Sequence, residues 1–196
     1  VRQQIPTGTP VDVSREVLNS VSALGLEEKV LPGMRIAVGT GSRGIPCVPQ
    51  VLQITLEALK GLGADAFIVP AMGSHGGGTA EGQRAVLEGY GIHERSMGVP
   101  VFSSMETVVI GETPQGMPVY FDAHAAQADG ILVVNRIKEH TAFTAPWGSG
   151  ILKMLTVGMG KADAAAEIHK RGVTQSIPPA GRVVLEKLPI LGGIAI

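Results

Sequence analysis

Short apolar segments of strand-forming residues alternate along this chain with longer segments whose apolar residues recur at helical spacing. The strand-like segments are residues 35–38, 66–71, 130–135 and 190–196. Strands that alternate with helices are typical of a mostly parallel sheet with helices on its faces. The alternation therefore predicts an α/β, Rossmann-like fold, with residues 1–196 forming a single domain.

Capping residues and turn residues mark the ends of several predicted elements. The helix-like segments are residues 11–24, 46–62, a stretch from Thr79 to about Tyr90, 161–170 and 180–188. Asp12 or Ser14 suits the N-cap of the first helix, and Thr79 suits that of the third. Residues 99–121 consist of short β-prone pieces around a turn at 112–116 and predict a small β-hairpin insertion.

Composition excludes several classes of function. The net charge is −1, and no block of Lys or Arg with interleaved aromatic residues is present, so a nucleic-acid surface is not expected. The apolar runs are too short to span a bilayer, so no membrane association is expected. The single cysteine, Cys47, excludes an internal disulfide and a cysteine-rich metal site, and a reducing cytoplasm is the simplest compartment. Residues 190–196 resemble a truncated strand, so we expect a C-terminal domain that this chain lacks.

Three glycine-containing loops directly follow predicted strands, at residues 39–44, 73–78 and 136–150. The carboxyl ends of parallel strands lie at one edge of a sheet, and ligands of α/β proteins bind outside that edge. We therefore expect the three loops to contribute to one ligand site.

The first loop, GTGSRG at residues 39–44, matches G-x-G-x-x-G between a strand and a helix. A dinucleotide site also needs an acidic residue at the end of the second strand. Residues 66–71 end without a carboxylate, and Asp65 precedes them. We favour a cradle for a phosphate or carboxylate, with backbone amides and Arg43 as donors. A tight turn with a solvated Arg43 is the alternative.

The second loop, GSHGGG at residues 73–78, sets one imidazole among residues with almost no side chains. Glycines allow a substrate to approach closely, and histidine exchanges protons near neutral pH. His75 is therefore a candidate acid/base residue. In the alternative interpretation it only binds Thr79 or nearby backbone in a flexible turn. His93 and His124 lie in polar surroundings and are interpreted as surface residues.

A third group of polar residues lies in residues 134–172, which are otherwise apolar and rich in glycine and alanine. Lys153 stands between apolar pairs, where burial of an unpaired ammonium is costly, so some interaction should compensate its charge. Residues 148–150 form a candidate anion-accepting turn before it. His140 and His169 are too few for a closed zinc site, so a metal would need ligands from outside the chain.

The order of these motifs resembles that of the N-terminal domain of the nickel-dependent lactate racemase family. The matching features are GTGSRG, GSHGG, a histidine after a buried strand, GSGILK and a later histidine, over about residues 34–172. Each motif is weak alone, and the resemblance depends on their order. It implies a racemase or epimerase of a small 2-hydroxy acid that acts by reversible hydride transfer to a cofactor, with each of two histidines serving one enantiomer.

The resemblance also implies roles for individual residues. In that family a nickel-pincer nucleotide is attached covalently to a lysine, which matches Lys153, and a downstream histidine that binds nickel matches His169. The paired acid/base histidines match His75 and His140, and Arg43 matches an arginine that holds the substrate carboxylate. Cofactor-synthesis proteins are expected partners, and an oligomer is compatible with the sequence. The predicted cofactor-binding residues are Lys153, Thr40, Arg43, Gly148, Ser149 and Gly150.

The chain departs from the family pattern in three ways. Thr40 stands where the family usually has an aspartate, and the segment between His140 and Lys153 is longer than usual and contains Pro146 and Trp147. Family members are also much longer and have a second domain that closes over the site, so we expect this chain alone to be incomplete as an enzyme.

Two other functions stay open. The first is a nickel-free, non-catalytic domain that binds an anionic nucleotide or metabolite through Arg43 and the glycine loops. The second, for which the sequence offers less support, is a dehydrogenase that binds NAD. The identity of the acid's side chain is not encoded in any motif of the chain.

Overall fold

The computed structural model describes residues 11–138 and 149–196 and contains two sheets in these residues. The main sheet has the order β2-β1-β5-β6 with all neighbours parallel, and β3 and β4 form an antiparallel hairpin. This arrangement confirms the predicted α/β class, the mostly parallel sheet and the hairpin insertion. The strands are β1 (Arg35–Thr40), β2 (Asp65–Pro70), β3 (Thr107–Glu112), β4 (Pro118–Asp122), β5 (Gly130–Asn135) and β6 (Ile190–Ala195).

Two of the predicted helices begin at capping side chains. The Asp12 side chain accepts a hydrogen bond from the Arg15 amide at 3.1 Å, and Thr79 Oγ1 accepts one from the Gly82 amide at 3.0 Å. Both predicted caps are therefore confirmed. The helices are α1 (Val13–Ala23), α2 (Leu26–Lys29), α3 (Val48–Gly61), α4 (Ala80–Gly89), α5 (Glu94–Met97), α6 (Ile151–Lys153), α7 (Lys161–Arg171) and α8 (Val173–Lys187), and a π-helical turn, Met154–Gly158, follows α6.

Several predicted boundaries were wrong, most by one or two residues, and the boundaries of helix α8 and strand β1 matter most. Helix α8 begins at Val173 rather than at residue 180, because its buried face, which includes Ile177 and Ala180, continues across Pro178 and Pro179. Burial of that face outweighs the amide hydrogen bonds that the two prolines cannot make. Strand β1 extends to Thr40 rather than ending at residue 38, so the first predicted loop starts inside the sheet.

The main sheet is buried on both faces. On one face Ile36 and Val38 pack in a core with helices α1, α3 and α4. On the other face Ala37 and Val133 pack in a core that includes Phe121 of the hairpin and residues of α7 and α8. Strands covered on both sides are rich in Val and Ile rather than alternating with polar residues, which explains the continuous apolar runs of the sequence.

The carboxyl ends of the strands lie level with one another. Thr40 pairs with Pro70 on one side and with Val134 on the other, and Asn135 pairs with Ala195. The chain segments that leave β1, β2 and β5 therefore start from one edge of the sheet. Among the described helices, none is both long and apolar enough to cross a membrane.

Candidate functional site

A cavity of about 210 Å³ lies at the carboxyl edge of the main sheet. Its lining includes residues from the segments that follow β1, β2 and β5, together with α6, the π-helical turn and α7. The cavity is large enough to hold many water molecules or a small organic ligand. The three loops that sequence analysis singled out therefore contribute to a single cavity.

Most of the predicted site residues line this cavity, and their roles stay predictions. His140 and Gly148 lie outside the residues that the structure describes. The predicted residues in the lining are Thr40, Arg43, His75, Ser149, Gly150, Lys153 and His169.

The loop after β1 is anchored to helix α4 by Tyr90. The Tyr90 hydroxyl donates a hydrogen bond to the Ser42 carbonyl at 2.7 Å. The aromatic ring of Tyr90 packs so closely on Gly44 that a Cβ there would lie 2.5 Å from the ring. Arg43 of this loop is exposed and lines the cavity.

The loop after β2 is fixed by a buried glutamine. Gln83 Nε2 of helix α4 donates to the carbonyl oxygens of Gly73, at 2.8 Å, and of His75, at 3.3 Å. Gly76 has a φ of +66°, and a Cβ there would lie 2.7 Å from the backbone of Gly82 and Gln83. The glycines of this loop therefore allow the backbone of the His75 loop to lie directly against α4.

The His75 side chain contacts Ser42 of the neighbouring loop rather than a residue of its own turn. Its Nδ1 lies 2.5 Å from Ser42 Oγ, while Thr79 caps α4. Burial lowers the pKa of His75, and the positive charges of Arg43 and Lys153 lower it further. The imidazole is therefore mainly neutral at neutral pH and can accept a proton.

Lys153 ends helix α6 and is followed at once by the π-helical turn. The Met159 amide donates to the carbonyl of Met154, five residues earlier, at 2.8 Å. Gly158 allows this turn to lie against Ala71, the residue after β2, because a Cβ at position 158 would lie 2.8 Å from the Ala71 carbonyl oxygen. π-helical turns are rare and occur frequently at functional sites. No pattern in the sequence predicted this one.

The environment of Lys153 increases the share of its neutral amine. Burial lowers the pKa of Lys153, and the positive charges of Lys138 and Arg43 lower it further. A neutral amine is a nucleophile, whereas an ammonium is not. Lys153 therefore has the properties of a lysine that can form a covalent bond in the cavity.

His169 lies near the end of helix α7 with one ring nitrogen bound to the backbone. Its Nδ1 lies 2.5 Å from the carbonyl oxygen of Ala165, one helical turn earlier. A carbonyl only accepts, so Nδ1 carries the proton and Nε2 has the lone pair. A histidine that binds a metal commonly has this arrangement, in which the other ring N–H donates to a carbonyl or carboxylate.

Ser149 holds together the two ends of the segment that follows β5. Its hydroxyl accepts from the Lys138 amide at 2.7 Å and donates to the Lys138 carbonyl at 2.5 Å. The single hydroxyl proton is thereby used, so the Ser149 side chain does not donate to an anion. Any contribution of the predicted 148–150 turn to anion binding is left to its backbone amides.

The charged residues in the described lining are all basic: Arg43, Arg136, Lys138 and Lys153. Two buried polar atoms of the lining, Thr40 Oγ1 and Asn135 Oδ1, have no hydrogen-bond partner among the described residues. Buried polar atoms are usually paired, so two unpaired atoms in one cavity indicate a polar ligand. The cavity therefore suits a polar anion.

Sequence reasoning missed several residues of this region. Asn135, the last residue of β5, and Arg136 and Lys138, which follow it, line the cavity. Their place at the carboxyl end of a strand could have identified them. Nothing in the sequence linked Gln83 or Ser42 to His75, because these pairs meet only through packing of separate elements.

The two histidines interpreted as surface residues are in fact half-buried and lie outside the cavity lining. His93 caps α5, where its Nδ1 accepts from the Ser96 amide at 3.1 Å. The His124 ring stacks on Phe102 with 5.2 Å between the centroids. Among residues 11–138 and 149–196, no three histidine, cysteine or acidic side chains lie close enough together to hold a metal ion.

Comparison with known proteins identifies the family of this chain. A family model described as the lactate racemase N-terminal domain matches residues 4–178. The chain belongs to this family. No curated protein matches it.

The apoprotein structure of lactate racemase from Thermoanaerobacterium thermosaccharolyticum is similar, with a TM-score of 0.53 and 14% sequence identity, over 90% of this chain and 45% of that one. At this identity the likeness shows the fold alone. The chain thus spans less than half the length of that lactate racemase.

Proposed function

We propose that this chain is the cofactor-binding part of a racemase or epimerase that acts on a small 2-hydroxy acid. The proposal rests on one observation. His75, Lys153 and His169 line the same basic cavity. Membership of the lactate racemase N-terminal domain family supports it. The nature of the acid's side chain is left open.

The residues of the cavity fit a nickel-pincer nucleotide. Lys153 would hold it covalently, since the lowered pKa favours the reactive amine. His169 would bind the nickel through Nε2, the nitrogen left by the hydrogen bond to Ala165. The basic lining suits a phosphate group, and the unpaired Thr40 and Asn135 oxygens suit polar groups of the nucleotide or the acid.

The bound cofactor would supply a hydride acceptor, which the side chains of this chain cannot supply. The chain's own residues would bind the acid and move its hydroxyl proton. Arg43 would bind the carboxylate, because a guanidinium pairs with a carboxylate in a bidentate manner. His75 would accept the hydroxyl proton, since its neutral form dominates at neutral pH. The proposal gives His140 the matching role for the other enantiomer.

Mass spectrometry of the intact protein tests the tether. When the protein is co-expressed with cofactor-synthesis proteins, we expect an adduct that disappears in Lys153→Ala. Lys170→Ala serves as the matched control, because Lys170 is an exposed lysine of α7 outside the cavity. An unmodified, nickel-free wild-type protein would overturn the proposal and leave a nickel-free anion-binding domain, which the basic residues of the described lining also favour.

Kinetics test the acid/base assignment separately. We expect His75→Ala to lower the rate of racemisation by about 10²- to 10⁴-fold, the usual contribution of a positioned acid/base group. The Lys153 adduct and the bound nickel should be retained in this variant. Loss of the adduct or of nickel in His75→Ala would instead make His75 a ligand or a structural residue.

A further inference from the structure

A contact between two loops joins His75 to a serine that the proposed chemistry does not use. Ser42 Oγ, in the loop after β1, lies 2.5 Å from His75 Nδ1, in the loop after β2. Both residues line the cavity. Because the contact uses Nδ1, it leaves Nε2 as the ring nitrogen with no hydrogen bond to a described residue.

The backbone of Ser42 is fixed by a hydrogen bond from Tyr90. The Tyr90 hydroxyl donates to the Ser42 carbonyl at 2.7 Å, and the Tyr90 ring packs on Gly44. Tyr90 directly follows helix α4, whose buried Gln83 donates to the carbonyl of His75. Helix α4 thus holds both partners of the Ser42–His75 contact, one through Tyr90 and the other through Gln83.

We propose that Ser42 and Tyr90 are positioning residues that set the orientation and the tautomer of His75. In this arrangement the Nδ1–H of His75 donates to Ser42 Oγ, and the lone pair of Nε2 is available to the ligand. Tyr90 keeps Ser42 at the required place through the backbone. The inference rests on the proposed function, because only a proton-accepting His75 requires this tautomer.

The physical reason lies in the two tautomers of neutral imidazole. One nitrogen carries the proton and donates, and the other accepts, so the hydrogen bond at Nδ1 decides what Nε2 can do. If Nδ1 donates to Ser42, Nε2 can accept a proton from a hydroxyl group in the cavity. If Ser42 donates to Nδ1, Nε2 carries a proton and cannot act as a base.

The tautomer can be read in the protein without cofactor by ¹⁵N NMR of the histidine side chains. We expect His75 in the wild type to be mainly the Nδ1–H tautomer, with Ser42→Ala shifting it towards a mixture. Ser42→Thr should retain the wild-type tautomer because it keeps the hydroxyl. A wild-type His75 in the Nε2–H form, or a tautomer ratio that is the same in Ser42→Ala, would overturn the inference.

Kinetics of the cofactor-loaded enzyme give the second measurement. Loss of one hydrogen bond that orients a base should lower kcat about tenfold in Ser42→Ala with little change in KM, and Ser42→Thr should restore most of it. Tyr90→Phe should have a smaller effect in the same direction, whereas Tyr120→Phe, the same change at the chain's other tyrosine outside the cavity, should have none. Equal effects of the two tyrosine variants would contradict the role of Tyr90.

The two proposals can fail independently. If the wild-type protein carries no adduct after co-expression with cofactor-synthesis proteins, the proposed function fails, yet the tautomer measurement still reports on Ser42. If racemisation is normal but His75 is found in the Nε2–H form, the function stands and the positioning role of Ser42 and Tyr90 is wrong.

Discussion

Lys153 and Lys161 lie in the same short stretch of chain, but one lines a cavity and the other is fully buried. Lys161 is fully buried, with its Nζ 3.0 Å from Asp122 Oδ2 and 2.5 Å from the carbonyl oxygen of Pro70. Lys153 is only partly buried and lines the cavity, where the positive charges of Lys138 and Arg43 add to the effect of burial on its pKa. Burial lowers the pKa of both amines, but at Lys161 the charge of Asp122 opposes that effect.

The difference shows that an apolar sequence around a lysine does not identify its role. Both residues follow apolar or glycine-rich sequence, and only the fold shows which one has a buried carboxylate. The lysine with the ion pair fastens three elements together: α7, the end of β2 and the end of β4. The lysine that lines the cavity and has a lowered pKa is the one suited to chemistry.

The largest expected contrast between the two lysines is in stability. Lys161→Met leaves Asp122 buried without its cation and should lower the free energy of unfolding by about 3–5 kcal/mol. Lys153→Met should have the smaller effect, because Lys153 is only partly buried and lines a cavity. Urea denaturation measures both values.

A second variant separates loss of the ion pair from other effects at Lys161. Lys161 has a left-handed backbone, with a φ of +54°, and methionine keeps that strain unchanged. In Lys161→Met/Asp122→Asn the buried charge is gone, so part of the lost stability should return. Equal stability of the Lys153 and Lys161 single variants would remove the basis of the comparison.

The next contrast is in chemical reactivity. At pH 8 an amine-selective acylating reagent should modify Lys153 faster than the exposed Lys170, because the lowered pKa of Lys153 leaves more of its amine neutral. Lys161 should react only after unfolding, since it has no exposed surface. Peptide mapping by mass spectrometry gives the three rates, and rapid modification of Lys161 in the folded protein would contradict the buried pair.

The smallest expected effect is on His75. The positive charge of Lys153 disfavours a protonated His75, so Lys153→Gln should raise the His75 pKa towards its ordinary value. Burial, the largest cause of the shift, and Arg43 are unchanged in this variant, so the rise should be partial. NMR titration measures it, with Lys170→Gln as a control that should leave the pKa unchanged.

The fold was predictable where local pattern and packing agree. The run at residues 130–135 is apolar throughout because both faces of β5 are covered, and the strand has the predicted bounds. Helix α8 was misjudged because Pro178 and Pro179 oppose a helix locally, while burial of Ile177 and Val184 on either side favours one. Tertiary packing decided that boundary, and a sequence alone does not show it.

The sequence located the site only through the predicted carboxyl ends of the strands. Parallel strands have their carboxyl ends at one edge of the sheet, and this rule predicted that the three loops contribute to one site. It could not show that His75 contacts Ser42, or that Lys161 rather than Lys153 has Asp122 as its partner. These contacts join elements that are far apart in the chain, and no local sequence pattern indicates them.

The π-helical turn between Lys153 and His169 makes the number of residues in this stretch matter more than their identity. An α-helix turns by about 100° per residue, and a π-helical turn contains one residue more than an α-helical one. Deleting any one residue of Met154–Gly158 would therefore rotate Lys153 by about a quarter of a circle relative to α7. Exchanges among apolar residues there should be tolerated, whereas a change of length would turn the lysine away from the cavity. Relatives with a shorter stretch would need another residue in the place of Lys153.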